Sequence, residues 1–361
     1  MKKTNSESSN YSYNHQFSEE CKMDFHCSIA TAFEHCYTDA IESLMTLGRT
    51  TFPRGMETKE LISYMIGFEN SRKRLIFNPE RKVNLAFMLA ECLWIMNGKD
   101  DVEMITFYNS KLKQFSDNGI DFHGAYGPRL RRLLTTGYNT VDQFQQVINK
   151  LKEDPDSRQA VCNIFYAGKD YISTKDVPCT MTFQFFIREV AKCKKLEMIA
   201  SMRSNDVCLG LSTDAHNFST IQELIASELG IEPGWYYHVD GSLHIYKRDY
   251  EWAQRILNNR HRKVGEILEV PPMPLNSLQY IKVIGALEEM IRHDNDCSLI
   301  HTVPEYWKKW LLVFACYKSL KEDRLDEAND HNEKIGKDHP FYIFMKRSID
   351  RKLAKQAGEH E

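Results

Sequence analysis

The residues best suited to chemistry in this 361-residue chain fall in short, separated stretches, the densest being Met202 to Phe218, MRSNDVCLGLSTDAHNF. It gathers Arg203, Ser204, Asp206 and Asp214 around a glycine turn. Asp214 stands near the start of a helical pattern over Ala215 to Leu229 that Gly230 closes. Its plain role there is capping, by Asp214 or Thr213, worth about 1 kcal/mol.

Cys179 lies between Pro178 and the alternating strand TFQFFIRE. Such a cysteine is either a small buried hydrophobe or a nucleophile, and the second role needs a cation, which Arg203 on the neighbouring hairpin arm is placed to supply. Glu91 sits in an apolar helical face, as a solvated edge residue or as a buried acid with a raised pKa. Tyr126 stands between two glycines in FHGAYGPRLRR, which reads as a tight loop presenting a phenol. Arg158 occupies a turn-to-strand corner after Asp154-Pro155-Asp156, and a strand from Tyr236 to Tyr246 bears His238, Asp240, His244 and Tyr246.

These residues need elements to position them. Apolar spacing predicts helices over Thr31 to Leu47, Asn84 to Met96 and Val141 to Leu151. Leu61 to Phe77 mixes aromatic and β-branched residues and reads as one or two strands. QAVCNIFY and LEMIASMRS read as further strands, and the chain beyond the PPMP segment is mainly helical, with Trp307 and Trp310 in a packed appendage. Residues 1–24 are polar and read as a disordered tail.

Composition narrows the function classes. With 42% apolar residues the chain buries a full core, and a formal charge of -3 with dispersed Lys and Arg gives no support for nucleic acid or an anionic membrane as partner. The ten cysteines form no CxxC pair or metal-spaced cluster, no cleavable signal precedes them, and no apolar run reaches the roughly 20 residues of a membrane span. A soluble cytoplasmic protein with reduced thiols, no metal and a small-molecule partner is expected.

Seven motifs then occur in one order: FPRG, MLAECLWIMNG, GAYGPRLR, DPDSRQ, VPCTMTFQF, MRSNDVCLGL and VDGSLHIY. Together, across roughly residues 50 to 250, they resemble the thymidylate synthase family. The resemblance implies an α/β (α+β) three-layer fold with a mixed twisted sheet. It also implies a catalytic domain over 25–270, a helical extension over 271–361 and a homodimer joined through sheet faces. It implies a Cys179 thiolate that attacks C6 of a pyrimidine nucleotide, making C5 nucleophilic toward the one-carbon unit of 5,10-methylenetetrahydrofolate.

Carried over residue by residue, Arg54, Arg203 and Ser204 match phosphate contacts. Arg158 matches an arginine inserted by the partner subunit, although Gln159 replaces the usual second arginine. His244 and Tyr246 match sugar contacts, Asp206 the pterin contact, Glu91 the buried acid that organises water, and Tyr126 the tyrosine near the C5 proton. Asp214 replaces the family's asparagine. An amide complements uracil's N3–H and O4, whereas a carboxylate accepts from cytosine's amino group and stabilises a proton at N3.

VPCT, MRSNDV and GSLHIY look closer to phage deoxycytidylate hydroxymethylases, with Thr180 in place of the synthases' histidine and Phe115 where they carry tryptophans. The expected reaction is C5 hydroxymethylation of dCMP or CMP, ahead of cytidylate methylation and of dUMP methylation. Asp176, three residues before Cys179, is either a loop carboxylate or a group that positions water. Rival classes are a Cys179/His244 hydrolase, which leaves Arg54, Arg203 and Asp214 unexplained, and a nucleotide-binding scaffold.

Overall fold

The computed structural model describes residues 26–135, 139–260, 267–294 and 296–358, so the polar tail over 1–24 lies outside the described residues. β1 (Cys27–Ala30) leads into α1 (Phe33–Leu47), and after β2 (Arg49–Thr51) the chain enters the long β3 (Thr58–Phe68). The mixed pattern over Leu61 to Phe77 is thus one strand followed by a connection that is pinned from α1: the Glu34 carboxylate accepts from the Phe77 N–H at 2.6 Å.

Side-chain caps start the next helices. Asn84 accepts from the Phe87 N–H ahead of α2 (Leu85–Met96), Asp101 from Met104 ahead of α3 (Val102–Tyr108). Short α4 (Tyr126–Arg131) and a ribbon of β4 (Leu133–Leu134) and β5 (Thr140–Val141) come next. Asp142 then caps α5 (Gln143–Glu153). Tyr126 therefore opens a helix rather than sitting in a loop. β6 (Val161–Asn163) and the single turn α6 (Ala167–Asp170) precede a hairpin of β7 (Thr180–Val190) and β8 (Cys193–Met202). The hairpin turns through Ala191 and Lys192, both at positive φ, a turn whose twist matches that of the strands.

β9 (Asn205–Asp206) hands over to α7 (Gly210–Leu229), which ends at Gly230 in the left-handed region and is followed by β10 (Glu232–Tyr246). The sheet runs β1-β3-β10-β8-β7-β6, with β2 beside β3 and β9 beside β10. It is mixed: β1/β3, β10/β8 and β10/β9 are parallel, the other pairs antiparallel. Where the β10/β8 register slips between Pro233 and Tyr236, the buried Gln222 amide of α7 donates to the Leu196, Gly234 and Trp235 carbonyls. The bulge thereby keeps its backbone satisfied.

α7 is buried along nearly its whole length because it lies between the sheet and α2. α2 in turn is covered by the last elements, α8 (Tyr250–Asn258) excepted: α9 (Ile281–Asp294), α10 (Glu305–Lys321), α11 (Leu325–Ile335) and α12 (Pro340–Gln356) form a helical layer that contacts it through α9, α10 and α12. Trp307 and Trp310 of α10 are fully enclosed within the same apolar core as α2 and α7. A buried polar tie accompanies them: the Tyr108 hydroxyl donates to Glu288 at 2.8 Å, and Arg292 donates to the same carboxylate at 3.0 Å. No helix among the described residues is long and apolar enough to cross a membrane.

Candidate active site

Two adjoining cavities meet at Cys179. One, of about 170 Å³, is lined by Glu91 of α2, Tyr126 of α4, Cys179 and Asp214 of α7, with an apolar wall of Trp94, Ile105, Phe115 and Phe122. The other, of about 530 Å³, is lined by Arg54, Arg203, Ser204, His244 and Tyr246. Phe115, Asp176, Val177 and Cys179 border both. The Cys179 sulfur thus stands between a smaller, carboxyl-rich chamber and a larger cavity rich in cations.

Cys179 is fixed by its neighbours. Its carbonyl accepts from the Arg203 N–H at 2.8 Å, and the Arg203 guanidinium donates to the Pro178 and Val177 carbonyls at 2.9 and 3.0 Å. Burial pushes the Cys179 thiol up; Arg203 opposes this without overcoming it, and Asp214 and Asp176 add to the rise. The resting sulfur is therefore a thiol.

Glu91 and Asp214 of the smaller chamber hold protons unusually well. Burial and the nearby Asp214 push Glu91 up to about 8, although the Asn217 amide donates to it at 2.8 Å. Burial pushes Asp214 up to about 7, with Asp240 raising it further and His238 and Asn205 drawing it down. The Tyr126 phenol is driven well above its ordinary value by burial and by Asp214. Near neutral pH Glu91 and Asp214 can both give and take protons, as acid–base chemistry requires, whereas the Tyr126 phenol stays protonated.

Asp214 is not a helix cap. α7 begins at Gly210, so Asp214 and Thr213 lie within its first turns, and the capping position is Leu209. The Gly-Leu-Ser-Thr opening has weak helix propensity, but burial between the sheet and α2 carries the helix through it. Glu91 belongs to the chamber rather than to a solvated edge.

In the larger cavity, the Ser204 hydroxyl lies 3.3 Å from His244 Nδ1, and the His244 and Tyr246 rings meet edge-on at 5.3 Å. Arg54 reaches this cavity from Pro53–Gly55 with φ 52°. Asp206 and Arg158 line neither cavity. Asp206 accepts from the Cys208 and Leu209 N–H groups, and burial raises its carboxyl. The Arg158 carbonyl accepts from Gln184 at the start of the β6 edge. Sequence reasoning missed Trp94 as a cavity wall, although its motif was in view, and missed Asn205 and Asn217, which donate to the Asp214 and Glu91 carboxyls of the chamber. Both asparagines follow or precede charged motif residues and carry no signal of their own beyond that position.

The thymidylate synthase family model matches residues 35–337. The chain belongs to the thymidylate synthase family. The fold described above is accordingly a thymidylate synthase fold, and such enzymes transfer a one-carbon unit from methylenetetrahydrofolate to a pyrimidine nucleotide. The deoxyuridylate hydroxymethyltransferase of Bacillus phage SP01 is 33% identical over 330 residues, covering 80% of this chain and 85% of the relative. That of Pseudomonas phage M6 is 31% identical over 245 residues, 67% of this chain and 63% of the relative. The thymidylate synthase of Buchnera aphidicola subsp. Schizaphis graminum is 26% identical over 259 residues, 69% of this chain and 94% of the relative. Both phage relatives carry a uridylate name, where a likeness to deoxycytidylate hydroxymethylases was expected. No cluster of candidate metal ligands occurs among the described residues.

Proposed function

We propose that this thymidylate synthase family member hydroxymethylates C5 of a pyrimidine nucleoside 5′-monophosphate, with a cytidylate, dCMP or CMP, as substrate. The observation that carries the base assignment is Asp214, enclosed in one chamber with Cys179 and Glu91. Arg54, Arg203 and Ser204 would hold the phosphate, His244 and Tyr246 the sugar, and the flat apolar wall of Trp94, Phe115 and Phe122 suits a stacked pterin. The proposed pterin contact of Asp206 rests on its motif alone, since Asp206 lines neither cavity. Methylenetetrahydrofolate supplies the one-carbon unit.

In this reading Cys179 loses its proton as it adds to C6, and the displaced electrons reach the N3 edge, where the proton of the Asp214 carboxyl stabilises them. C5 then attacks the methylene carbon of methylenetetrahydrofolate, its own proton leaves to the chamber's water beside the Tyr126 phenol, and the carbon–nitrogen bond to folate breaks, so that tetrahydrofolate departs and an exocyclic methylene remains on C5. Water ordered by Glu91 adds its oxygen to that methylene and gives up a proton to the chamber's water, and the electrons returned to the ring expel the Cys179 thiolate from C6, which then takes back a proton. No hydride moves, so tetrahydrofolate leaves unoxidised. Asp176 supports the addition of water. It borders both cavities, burial raises its carboxyl, and one oxygen accepts from the Gly124 N–H at 2.8 Å.

A second substrate, dUMP, is favoured by two observations: the names of the phage relatives, and a carboxyl held near pH 7, whose neutral form offers one donor and one acceptor as an amide does. Incubation with dCMP, CMP or dUMP and methylenetetrahydrofolate, with products weighed by mass spectrometry, separates the cases. A methyl-mass product, or dihydrofolate absorbance, would refute hydroxymethylation. Asp176→Ala is expected to lower the hydroxymethyl rate about tenfold or more while leaving release of tritium from C5 intact; an unchanged rate returns Asp176 to a loop role.

A further inference from the structure

Behind Asp214, on the side away from the chamber, lies a polar cluster that the proposed reaction does not use. Asn205 Nδ2 is 3.1 Å from Asp214 Oδ2 and 3.0 Å from His238 Nε2. The same imidazole nitrogen is 3.2 Å from Asp240 Oδ1, while Nδ1 is 2.8 Å from the Tyr236 hydroxyl. His238 and Asp240 are both 0% exposed, and the Asp240 oxygens have the imidazole at ion-pair distance but no well-directed hydrogen bond. The Asn205 side chain has room because residue 210 is glycine: a Cβ there would lie 2.5 Å from Asn205 Oδ1.

One amide facing two titratable groups with the same atom couples them. If His238 Nε2 carries a lone pair, it calls for the amide NH₂, whose second hydrogen then goes to Asp214 Oδ2. If Nε2 carries a proton, it calls for the amide oxygen, and a half-turn of the Asn205 side chain then sets that oxygen against Oδ2. In the first arrangement Oδ2 is held as an acceptor and the carboxyl's proton belongs on Oδ1. In the second, Oδ2 must carry the proton itself. The cytosine and uracil edges differ by a comparable exchange of one donor for one acceptor.

We propose that His238, paired with Asp240 and acting through the Asn205 amide, is a positioning residue that decides whether Asp214 meets a donor or an acceptor, and thereby sets the discrimination between cytosine and uracil. This rests on the reading of Asp214 as the base-facing group. The other titratable groups around Asp214 are Glu91 from α2, Tyr126 from α4, Cys179 ahead of β7, and Tyr236 and Asp240 from β10. Unlike these, His238 shares with Asp214 one hydrogen-bonding atom, Asn205 Nδ2. Burial disfavours the His238 imidazolium, but the Asp240 carboxylate outweighs it and the ring titrates above its ordinary value.

The test is the ratio of kcat/KM for dCMP over dUMP across pH 5.5 to 9. In the native protein the ratio changes with pH. His238→Phe, which keeps a flat ring over Phe218 but removes both nitrogens, flattens that dependence and brings the ratio about tenfold closer to one. Asp240→Leu moves the midpoint about one unit to lower pH, since the carboxylate that favours the imidazolium is gone. A ratio that is flat in the native protein overturns the proposal. So does a His238→Phe protein that melts cooperatively and loses activity toward both nucleotides equally, which is the result of a purely structural role. If neither nucleotide is turned over, the proposed function fails, and the coupling is then judged by ¹⁵N NMR of His238. Its midpoint moves by about half a unit or more in Asp214→Asn if the coupling exists, and stays put if it does not.

Discussion

At the level of single residues, the site is governed by how far burial outweighs local charge. Asp214 carries the sharpest expectation. Asp214→Asn restores an amide at this position and is expected to raise the dUMP over dCMP preference about 100-fold, because a buried edge left unmatched is strongly rejected; an unchanged preference in steady-state assays would remove Asp214 from base selection. Glu91 gives a stability test. Its folded pKa of about 8 exceeds its ordinary 4.5, so the native state keeps a proton that the unfolded state loses between those values. Native stability therefore falls as pH rises through that window. Glu91→Gln removes the slope: its melting temperature gains on the native protein from pH 5 to pH 8, by about 2 °C or more, while turnover falls about 100-fold or more.

Elements decide which of these residues meet. Gly210 is the position where α7 begins and Asn205 approaches, and a methyl group there would also lie 3.4 Å from Asp214 Oδ2. Gly210→Ala is expected to lower kcat/KM about tenfold by displacing the amide, despite alanine's better helix propensity. Gly168→Ala in α6, where nothing lies within 4 Å, is the control and should leave activity and melting temperature nearly unchanged. Loss of activity in both proteins, measured side by side, would argue against a local clash.

β10 shows what the sequence could and could not reveal at this scale. The strand from Tyr236 to Tyr246 was legible from its alternation, and so were the β7 and β8 arms and the α2 pattern. The change of side at Gly241 was not: buried positions are even-numbered up to Asp240 and odd-numbered from Leu243. Its cause lies in the partner strand, where Ser63 opposite takes φ 59°, and in Arg203, whose carbonyl would stand 2.9 Å from a Cβ at Gly241. Such a bend depends on tertiary approach, which local propensity does not encode. The start of α7 escaped for the same reason, and with it the depth of Asp214.

For the molecule as a whole, the proposed phosphate site would be completed in a homodimer if the partner contributes Arg158. Arg158 lines neither cavity of its own subunit, and β-sheet side chains such as Ile62, Val161 and Met181 are exposed. If Arg158 works in the partner's site, Arg158→Ala and Cys179→Ser proteins, each with little activity, regain turnover when mixed and allowed to exchange subunits, because one hybrid site then carries both native residues. Absence of recovery, with exchange verified by native mass spectrometry, places Arg158 outside the site.

The loop at Pro53–Gly55 has a wider consequence. Arg54 holds a left-handed backbone conformation that a glycine would adopt without strain, at a cost of about 1 kcal/mol to the folded state. Stability alone would favour Arg54→Gly, and the exposed loop has no packing to lose. A lineage of this enzyme released from its substrate should drift toward glycine here and grow more heat-resistant as it does, so the identity of residue 54 across descendants would record whether selection for turnover is still in force.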